Sequence, residues 1–375
     1  MKSLYILIIM ALMPSFIIAQ NSGFVVDEKS IDLESIPENY IGKAKSSLHI
    51  GYGHTSHGSQ LTSGMNAIES YFENGKYDWS HSGGEGKLHL FEGSSYGEGY
   101  LDHDCGYDGW DDKTREYLND HPGCNVIIWS WCGQVNSVEL QEHYLDPMST
   151  LEQEYSDVKF VYMTGHLEGL GQNGSLRRAN DEIRDFCSAN NKILFDFARI
   201  ERFDPDMDVD YQQHNADDAC NYDDPEGGSS NWADNWLSEN PGHLLANIAQ
   251  HCSSCAHSRS LNCVKKGVAC WYLWARIAGW DGSTSIEDNF FENKNVLNIA
   301  PNPAGDKILL QFDNIDAGNY HIKITDLIGE VVLRDEIIFN NKIERNIDIS
   351  RLNKGVYIVN LSDGNKIFTK KLIVN

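Results

Sequence analysis

Short apolar segments alternate with helix-type segments over most of the chain, and this alternation restricts the fold more than any other feature. Apolar, β-branched or aromatic runs occur at "SLHIGYG", "KLHLFEG", "NVIIWSW", "VKFVYMTG" and "KILFDFA". Segments with helical spacing, such as "TSGMNAIESYF" and "SLRRANDEIRDFCSAN", separate several of them, and "CVKKGVACWYLWARIAGW" comes later. Strands that alternate with helices in this way predict a doubly wound, mostly parallel α/β sheet.

Polar residues come directly after the first of these strands. In such sheets, functional sites form outside the carboxyl ends of the strands. The segment "GHTSHG" places His54, Ser56 and His57 there. A hydroxyl between a strand and a helix lies near helix N-terminal amides, which stabilise an oxyanion. Ser56 is therefore our candidate nucleophile; the alternative is that Thr55, Ser56 or Ser59 only caps the helix.

Three further segments bring polar side chains to the same expected sheet edge. "SWCGQVNS" supplies Gln134, whose amide is either a donor to developing negative charge or a satisfied turn amide. "TGHLEGLGQNG" supplies His166 and Glu168, which fit substrate contact, metal binding or plain solvent exposure equally well. "HCSSCAHSRSLNC" places His257 in a cysteine-rich loop before the last helix, where a base can be held in position.

The order of these motifs resembles the SGNH (GDSL-like) hydrolase superfamily. It consists of a strand followed by Gly-x-x-Ser, a strand followed by Gly-Gln, and a late histidine before a C-terminal helix. The resemblance implies an SGNH or flavodoxin-like sheet and an esterase, lipase or carbohydrate deacetylase. It implies Ser56 as nucleophile, His257 as base, Gln134 in the place of the oxyanion asparagine, and Gly97 of "GSSYGEG" as a second donor.

Two departures from the superfamily pattern affect the catalytic residues. The usual Gly-Asp-Ser is Gly-His-Thr-Ser here, and the late Asp-x-x-His has Ser254 in place of the aspartate. Another group must then fix the imidazole tautomer. Asp218 and Asp224 are the candidates for that role.

Metal chemistry is a competing interpretation of the same residues. His54, His57, His103 with Asp104, and His166 offer imidazoles and a carboxylate to zinc or another divalent ion. The resulting enzyme is a metal-assisted polysaccharide lyase or hydrolase; the serine route requires no cofactor.

Two other segments contain metal-type ligands. "FDPDMDVDYQ" places Asp204, Asp206, Asp208 and Asp210 at alternate positions, which fits either a structural calcium site or a solvated acidic loop. "HCSSCAH" has the ligand types of a small zinc knuckle. All nine cysteines lie between Cys105 and Cys270, and in an exported chain disulfides are the default expectation.

The C-terminal residues differ in character from the rest. Segments such as "KILLQF", "YHIKITDL" and "GVYIVNLS" alternate or run apolar with Gly or Asn between them, which predicts a small β-sandwich. The series "NVLNIAPNPAGDKILL", "ITDLIGEVV", "IDISRLNKGVYIVNL" and "KKLIVN" resembles the type A sorting domain of the type IX secretion system. The resemblance implies contact with that machinery, outer-membrane export from a Bacteroidetes-type cell, and secretion or attachment to the outer surface.

The N-terminus and the charge limit the partners. Lys2 and "LYILIIMALM" followed by "IIAQ" have the pattern of a secretory signal peptide cleaved near Ala19, and no other stretch approaches membrane-spanning length. The net charge is −25, which excludes a nucleic-acid partner and favours a neutral or acylated substrate over a polyanion. Residues 296–375 hold ten acids and ten bases, so the whole net charge lies before them.

Together these features predict four segments: a signal peptide (1–19), an SGNH-like α/β module (20–280), a linker (281–295) and an Ig-like β-sandwich that directs sorting (296–375). The expected function is an exported serine esterase that deacylates an environmental polysaccharide through Ser56 and His257. Substrate contacts are expected from His54, His57, His103, His166 and Glu168. A non-catalytic glycan-binding protein is a further alternative, because nine tryptophans lie between Trp79 and Trp280 and flat aromatic rings stack on sugars.

Overall fold

A computed structural model describes residues 23–93, 99–283, 297–312, 318–326, 331–339, 344–362 and 367–375. The chain divides into two compact units, residues 1–279 and 280–375. The expected signal peptide, most of the expected linker and Gly97 lie outside the described residues. Within the described part of the chain, no helix has the length and apolar character that a membrane span requires.

The first unit is built on a seven-stranded, fully parallel sheet, which confirms the expected α/β class. Its strands are β1 (Val25–Val26), β2 (His49–Gly53), β3 (Trp79–Ser80), β4 (Leu88–Glu92), β5 (Val126–Trp129), β6 (Lys159–Met163) and β7 (Ile193–Phe195). Their spatial order is β1-β7-β6-β5-β2-β4-β3.

Nine α-helices connect or follow the strands in the described part of this unit. They are α1 (Glu38–Ser47), α2 (Ser59–Phe72), α3 (Trp110–Asp120), α4 (Asp146–Glu154), α5 (Ser175–Ala189), α6 (Phe197–Glu201), α7 (Trp232–Glu239), α8 (Leu244–Ala249) and α9 (Ser260–Ile277). A short antiparallel hairpin, β8 (Asn221–Asp223) with β9 (Ser229–Asn231), lies between α6 and α7.

The strand order reverses at β2. The chain runs from β2 outward to β4 on one side and then returns to β5 on the other side of β2. Crossover connections between parallel strands are right-handed, so helices in connections that run in opposite directions across the sheet lie on opposite faces. The helices α2, after β2, and α3, after β4, therefore cover different faces. The contacts of α2 with α9 and of α3 with α4 agree with this arrangement. Ligands bind at such a reversal, where the connections after the two central strands diverge.

Close packing of α2 on α9 holds the segment after β2 against the last helix. A Cβ atom on Gly64 would lie 1.9 Å from the carbonyl oxygen of Cys263. On the facing helix, a Cβ on Gly267 would lie 2.3 Å from the carbonyl carbon of Gly64. Only glycine allows this approach of the two backbones.

Two fully buried lysines lie in α9. Lys266 donates to Glu201 over 2.6 Å and also to Gln60, and its amino group lies over the ring of Phe197. Lys265 donates to the carbonyl oxygens of Ile200, over 2.6 Å, and Phe203. Buried cations need such partners because desolvation disfavours the charge. Burial lowers the pKa of Lys265 to about 7.

The second unit is all-β, as the sequence predicts. One sheet has the order β10-β11-β14 and the other β13-β12-β15-β16, and their strands pair antiparallel. The strands are β10 (Leu297–Ala300), β11 (Lys307–Phe312), β12 (Gly318–Thr325), β13 (Val331–Phe339), β14 (Glu344–Asp348), β15 (Gly355–Ser362) and β16 (Ile367–Val374). Alternate apolar residues such as Ile308, Ile322 and Val359 form its core.

Candidate functional site

The turn between β2 and α2 carries the residues around which the site is built. Asp104, buried in the segment before α3, accepts hydrogen bonds from the Thr55 amide over 2.9 Å, from the Thr55 hydroxyl and from Ser130 over 3.2 Å. This carboxylate fixes the backbone that presents Ser56 and His57. Ser56 is half-buried and His57 is buried.

Three imidazole rings from distant segments form a stack at this turn. The ring centroid of His57 lies 4.0 Å from that of His166, which follows β6, and the two planes are within 4° of parallel. The ring of His257 covers His57 from a centroid distance of 4.5 Å at 18°. The segments that were expected to share a sheet edge thus meet in space.

His57 is hydrogen-bonded through both ring nitrogens. Its Nε2 lies 2.8 Å from Oδ2 of Asp218, and its Nδ1 lies 3.0 Å from Sγ of Cys132. Burial lowers the pKa of His57, although the hydrogen bond to Asp218 opposes this. Burial also opposes ionisation of Asp218, but the hydrogen bond from His57 and the nearby imidazoles hold the pKa of its carboxyl below the usual value. A neutral His57 ring that donates to an ionised Asp218 carboxylate agrees with both pKa shifts.

The loop that carries His257 is tied to the rest of the unit at two points. A disulfide joins Cys255 to Cys263 in α9. The buried amide of Gln60 donates to the carbonyl oxygen of Ala256 over 2.5 Å. Because Gln60 lies in the first turn of α2, this bond links the Ser56 turn to the loop of His257.

Ser56 and His257 are brought to the same site, but not into direct hydrogen-bonded contact. Among the described contacts, none joins the Ser56 hydroxyl to His257. The carbonyl oxygen of Ser56 accepts from the Ser59 hydroxyl over 2.7 Å, and the ring of His257 faces His57. His257 has a positive φ of 60° and is exposed, and Asp218 lies close enough for His257 to lower the pKa of its carboxyl. Asp224 lies in the β8–β9 hairpin, where it accepts from Ser230 over 2.9 Å.

Gln134 supports the site through the backbone. Its side-chain nitrogen donates to the Cys105 carbonyl over 2.7 Å, and its oxygen accepts from the Cys132 amide over 3.2 Å. The side chain therefore fixes the conformation of the Cys132 turn, and an oxyanion role is left to its second N–H.

Of the other expected substrate contacts, three lie apart from the histidine stack. His54 is buried and bonds to the carbonyl oxygen of Thr55 over 2.9 Å and to Glu92 over 3.1 Å. Glu168 accepts from the Leu176 amide at the start of α5 over 2.8 Å. His103 is exposed. His54 and Glu168 thus have local structural partners.

Among the described residues, the ligand-type atoms that converge are those of His57, His166 and Asp218, all within 4.8 Å of one another. A metal ion binds imidazole on the in-plane lone pair of nitrogen at about 2.0–2.1 Å. The stacked rings of His57 and His166 hold their lone pairs in two separate parallel planes. One ion cannot bind both in this arrangement, so metal binding requires one ring to turn.

The acidic loop does not form a converging ligand set in the described structure. Asp204 accepts from Tyr211 over 2.8 Å, and Asp206 accepts from the indole of Trp236 over 2.7 Å. Asp210 pairs with Arg202, and Asp208 is exposed. Calcium at these four aspartates is therefore not favoured by their contacts.

The disulfide removes Cys255 from the expected zinc-knuckle ligands, so that interpretation of "HCSSCAH" is wrong. The disulfide expectation itself is met by this pair. The remaining seven cysteines of the chain are free thiols, of which Cys132 and Cys252 are half-buried and five are buried: Cys105, Cys124, Cys187, Cys220 and Cys270.

All nine tryptophans are buried, with at most 7% of the side chain exposed at Trp79. Several are the largest fully buried side chains, including Trp129, Trp232 and Trp271. Eight of them, all except Trp280, lie in the first unit and belong to its buried core. The high tryptophan content that suggested sugar-stacking surfaces is therefore explained by core packing.

Sequence reasoning treated Cys132 only as a disulfide candidate. The signal that identifies it is positional, because it follows β5 just as Ser56 follows β2. Gly53 of β2 is paired with Trp129 of β5, and Ser56 and Cys132 each lie three residues beyond that pair.

Comparison with known proteins identifies the second unit. Residues 298–375 match the family described as the secretion system C-terminal sorting domain, which confirms the expected route of export to the outer surface or beyond. No curated protein sequence matches the chain.

Two solved structures are similar at a very low level. One is an engineered protein with 12% identity over 84% of this chain and 61% of its own, at a TM-score of 0.19. The other is the endo-β-1,4-mannanase from Thermotoga petrophila, with 10% identity over 87% and 64% and a TM-score of 0.21. The chain spans less than two thirds of either structure, and such scores carry no argument about its fold or activity.

Proposed function

We propose that the first unit is an exported acyl-ester hydrolase with Ser56 as nucleophile and His257 as base, acting on an acylated polysaccharide. The observation that carries the proposal is the meeting of the Ser56 turn, the His257 loop and Asp218 at the reversal point of a parallel sheet. Proton transfer by a positioned imidazole and attack by a hydroxyl are the elements of acyl transfer.

The local backbone supports Ser56 in this role. The residue lies in the turn between β2 and α2, at the edge of the sheet where sites form. The first amides of α2 already donate to this turn, Ser59 to the Thr55 carbonyl and Gln60 to the His57 carbonyl, each over 3.1 Å, so these two amides hold the turn and do not serve as oxyanion donors. Hydrogen bonds in a free enzyme are often longer than in the substrate complex, and the exposed ring of His257 can approach the hydroxyl by rotation. The late Asp-x-x-His motif lacks its aspartate here. Asp218, which is hydrogen-bonded to His57 and lies near His257, is the carboxylate that can take its place.

The sheet topology and the charge support the fold family and the substrate class. The strands β4-β2-β5-β6-β7 have the 2-1-3-4-5 order of flavodoxin-like sheets, to which the SGNH hydrolases are similar. The net charge of −25 repels polyanions, so a neutral, acylated glycan is a better partner than a uronate polymer.

The test is hydrolysis of p-nitrophenyl acetate and of acetylated polysaccharides by the wild type and by Ser56→Ala. We expect Ser56→Ala to lower kcat/KM at least 100-fold. Ser63→Ala, a half-buried serine on α2, is the matched control and should keep the wild-type rate. Wild-type activity in Ser56→Ala would refute the serine route.

A metal-assisted reaction is the second candidate, because His57, His166 and Asp218 converge. The same assay with a chelator distinguishes it: acetate release that is unchanged by chelator favours the serine route. Loss of activity on chelation and its return with a divalent ion would favour the metal. Unsaturated products from a uronate polymer would identify a lyase instead.

A further inference from the structure

Cys132, His57 and Asp218 form a continuous hydrogen-bonded chain from thiol to imidazole to carboxylate. The Sγ–Nδ1 distance is 3.0 Å and the Nε2–Oδ2 distance is 2.8 Å. The three groups come from three separate segments, which follow β5, follow β2 and precede β8. A nucleophile bonded to a base that is oriented by a third group is the general arrangement of covalent catalysis.

The direction of the hydrogen bonds follows from the groups themselves. An ionised carboxylate only accepts, so Nε2 of His57 must carry the proton that binds Asp218. Nδ1 of the neutral ring then has a free lone pair, and the only hydrogen that Cys132 can place there is that of its thiol. The proton that a nucleophilic sulfur must lose therefore already points to a base.

We infer that Cys132 is a second nucleophile of this site, with His57 as its base and Asp218 as the residue that positions His57. The in-register ends of β2 and β5 support this, because Ser56 and Cys132 lie at equivalent positions beyond the pair Gly53 and Trp129. Cys132 is half-buried, so a small electrophile can reach it.

The reaction with an ester, the substrate class taken from the proposed function, balances without a cofactor. Sγ forms a bond to the acyl carbon while Nδ1 of His57 takes the thiol proton. The C–O bond of the ester breaks and His57 returns that proton to the leaving alcohol. Water then hydrolyses the thioester, which releases the carboxylic acid and restores the thiol.

Cys252 provides a matched control within the same chain. It is also a half-buried free thiol, and burial raises the pKa of both thiols. Its sulfur contacts the carbonyl oxygen of Ser254 and not an imidazole. A difference in reactivity between Cys132 and Cys252 therefore reports on His57 rather than on exposure.

The first experiment measures alkylation of the native full chain by iodoacetamide, with each cysteine quantified by peptide mass spectrometry. We expect Cys132 to react at least tenfold faster than Cys252. His57→Gln should slow Cys132 at least tenfold and leave Cys252 unchanged. Equal alkylation rates of Cys132 and Cys252 in the wild type would overturn the inference. So would a Cys132 rate that is unchanged in His57→Gln.

Asp218 is tested by rescue, which also covers the case in which His57→Gln does not fold. Asp218→Ala should slow alkylation of Cys132, and Asp218→Glu, which keeps a carboxylate, should restore part of the rate. An identical alkylation rate in the wild type and both variants would show that Asp218 does not position His57.

A second experiment separates this inference from the proposed function. The wild type and Ser56→Ala are mixed with p-nitrophenyl acetate, and the acetylated residue is located by mass spectrometry. Acetyl on Cys132 in both proteins supports the thiol nucleophile. Acetyl on Ser56 alone, with an unreactive Cys132, keeps the proposed function and overturns the inference. If Cys132 reacts rapidly with iodoacetamide but no residue is acetylated and no ester is hydrolysed, Cys132 remains a nucleophile and the proposed ester hydrolase function is overturned.

Discussion

Replacement of Gln60 by methionine tests whether the histidine site depends on the link between α2 and the loop of His257. Methionine has a similar size and lacks the amide, so the change removes two hydrogen bonds with little change in volume. The bond from Lys266 is a charged one in a fully buried place, and the bond to Ala256 lies in a partly exposed loop.

The expected loss of stability follows from these two environments. A hydrogen bond to a charged group contributes about 1.5–3 kcal/mol, and an ordinary one about 0.5–1.5 kcal/mol. Glu201 still binds Lys266, so its amino group keeps a partner in the variant. We expect Gln60→Met to cost about 2–4 kcal/mol, which corresponds to a fall in Tm of roughly 4–16 °C for a unit of this size.

Loss of the Ala256 bond should also free the loop of His257. The disulfide to Cys263 remains, and because the loop opens more often, dithiothreitol should reduce that disulfide faster in Gln60→Met than in the wild type. A displacement of about 1 Å at a catalytic group can cost about 100-fold in rate. Ester hydrolysis measured well below the lower Tm should therefore fall by up to that factor.

Two results would refute this reasoning. An unchanged Tm would mean that the buried bonds of Gln60 contribute no net stability. A lower Tm with wild-type rates of both disulfide reduction and ester hydrolysis would mean that Gln60 supports the helix packing and does not position His257. Gln213→Met, which removes an exposed glutamine whose amide only contacts Asp210, is the control for the substitution itself.

Three further predictions concern the rest of the molecule. Lys265 has a pKa of about 7 in the fold, so above pH 7 the unfolded state binds a proton that the folded state does not, and stability contributed by this group rises with pH. Urea unfolding at pH 7 and pH 9 should therefore show the difference in unfolding free energy between wild type and Lys265→Met growing by about 2–3 kcal/mol, and a constant difference would contradict this. Gly64→Ala should destabilise the first unit by more than about 4 kcal/mol in the same assay, because its Cβ would lie 1.9 Å from the Cys263 carbonyl oxygen; a loss below about 1 kcal/mol would show that α2 and α9 separate easily. Removal of residues 298–375 should keep the first unit folded but inside the producing cell, and fractionation that finds it in the medium at the normal level would contradict the sorting role.

The main strands and most long helices could be predicted because each carries its own periodicity. The strands β5 and β7 are apolar for their whole length, as expected for strands covered on both faces. β2 and β6 are apolar or small after a polar first residue, and β4 is mainly apolar. The two-residue strands β1 and β3 have no such signal, since their position depends on pairing with β7 and β4. The β8–β9 hairpin is polar throughout and gives no strand pattern either.

From the sequence, only those site residues that directly follow a predicted strand could be assigned to the candidate site. The rule that sites form beyond the carboxyl ends of parallel strands places His57 and His166 at one edge. It does not identify Asp218, which lies in an irregular loop before β8, or state which nitrogen of His57 faces which partner. Those contacts depend on how loops of different lengths close over the edge, and no local pattern encodes that.

An exported chain favours disulfides, so the sequence indicates Cys132 as a disulfide candidate, whereas the structure has it as a free thiol. A disulfide needs a second cysteine with its Cα about 4.4–6.8 Å away. The structure instead directs the sulfur of Cys132 to His57, in the turn after β2, and pairs only Cys255 with Cys263. Because β2 and β5 end in register, the segments after them are held at the same edge of the sheet. The imidazole of His57, which follows Ser56 in the first of these segments, is therefore in contact with the thiol of Cys132 in the second. Both ring nitrogens of His57 are already engaged, so a serine mechanism must take its base from His257, whereas a thiol mechanism has its base in place. Comparison of Ser56→Ala with Cys132→Ala under identical conditions is thus the measurement that decides which of the two residues performs the chemistry.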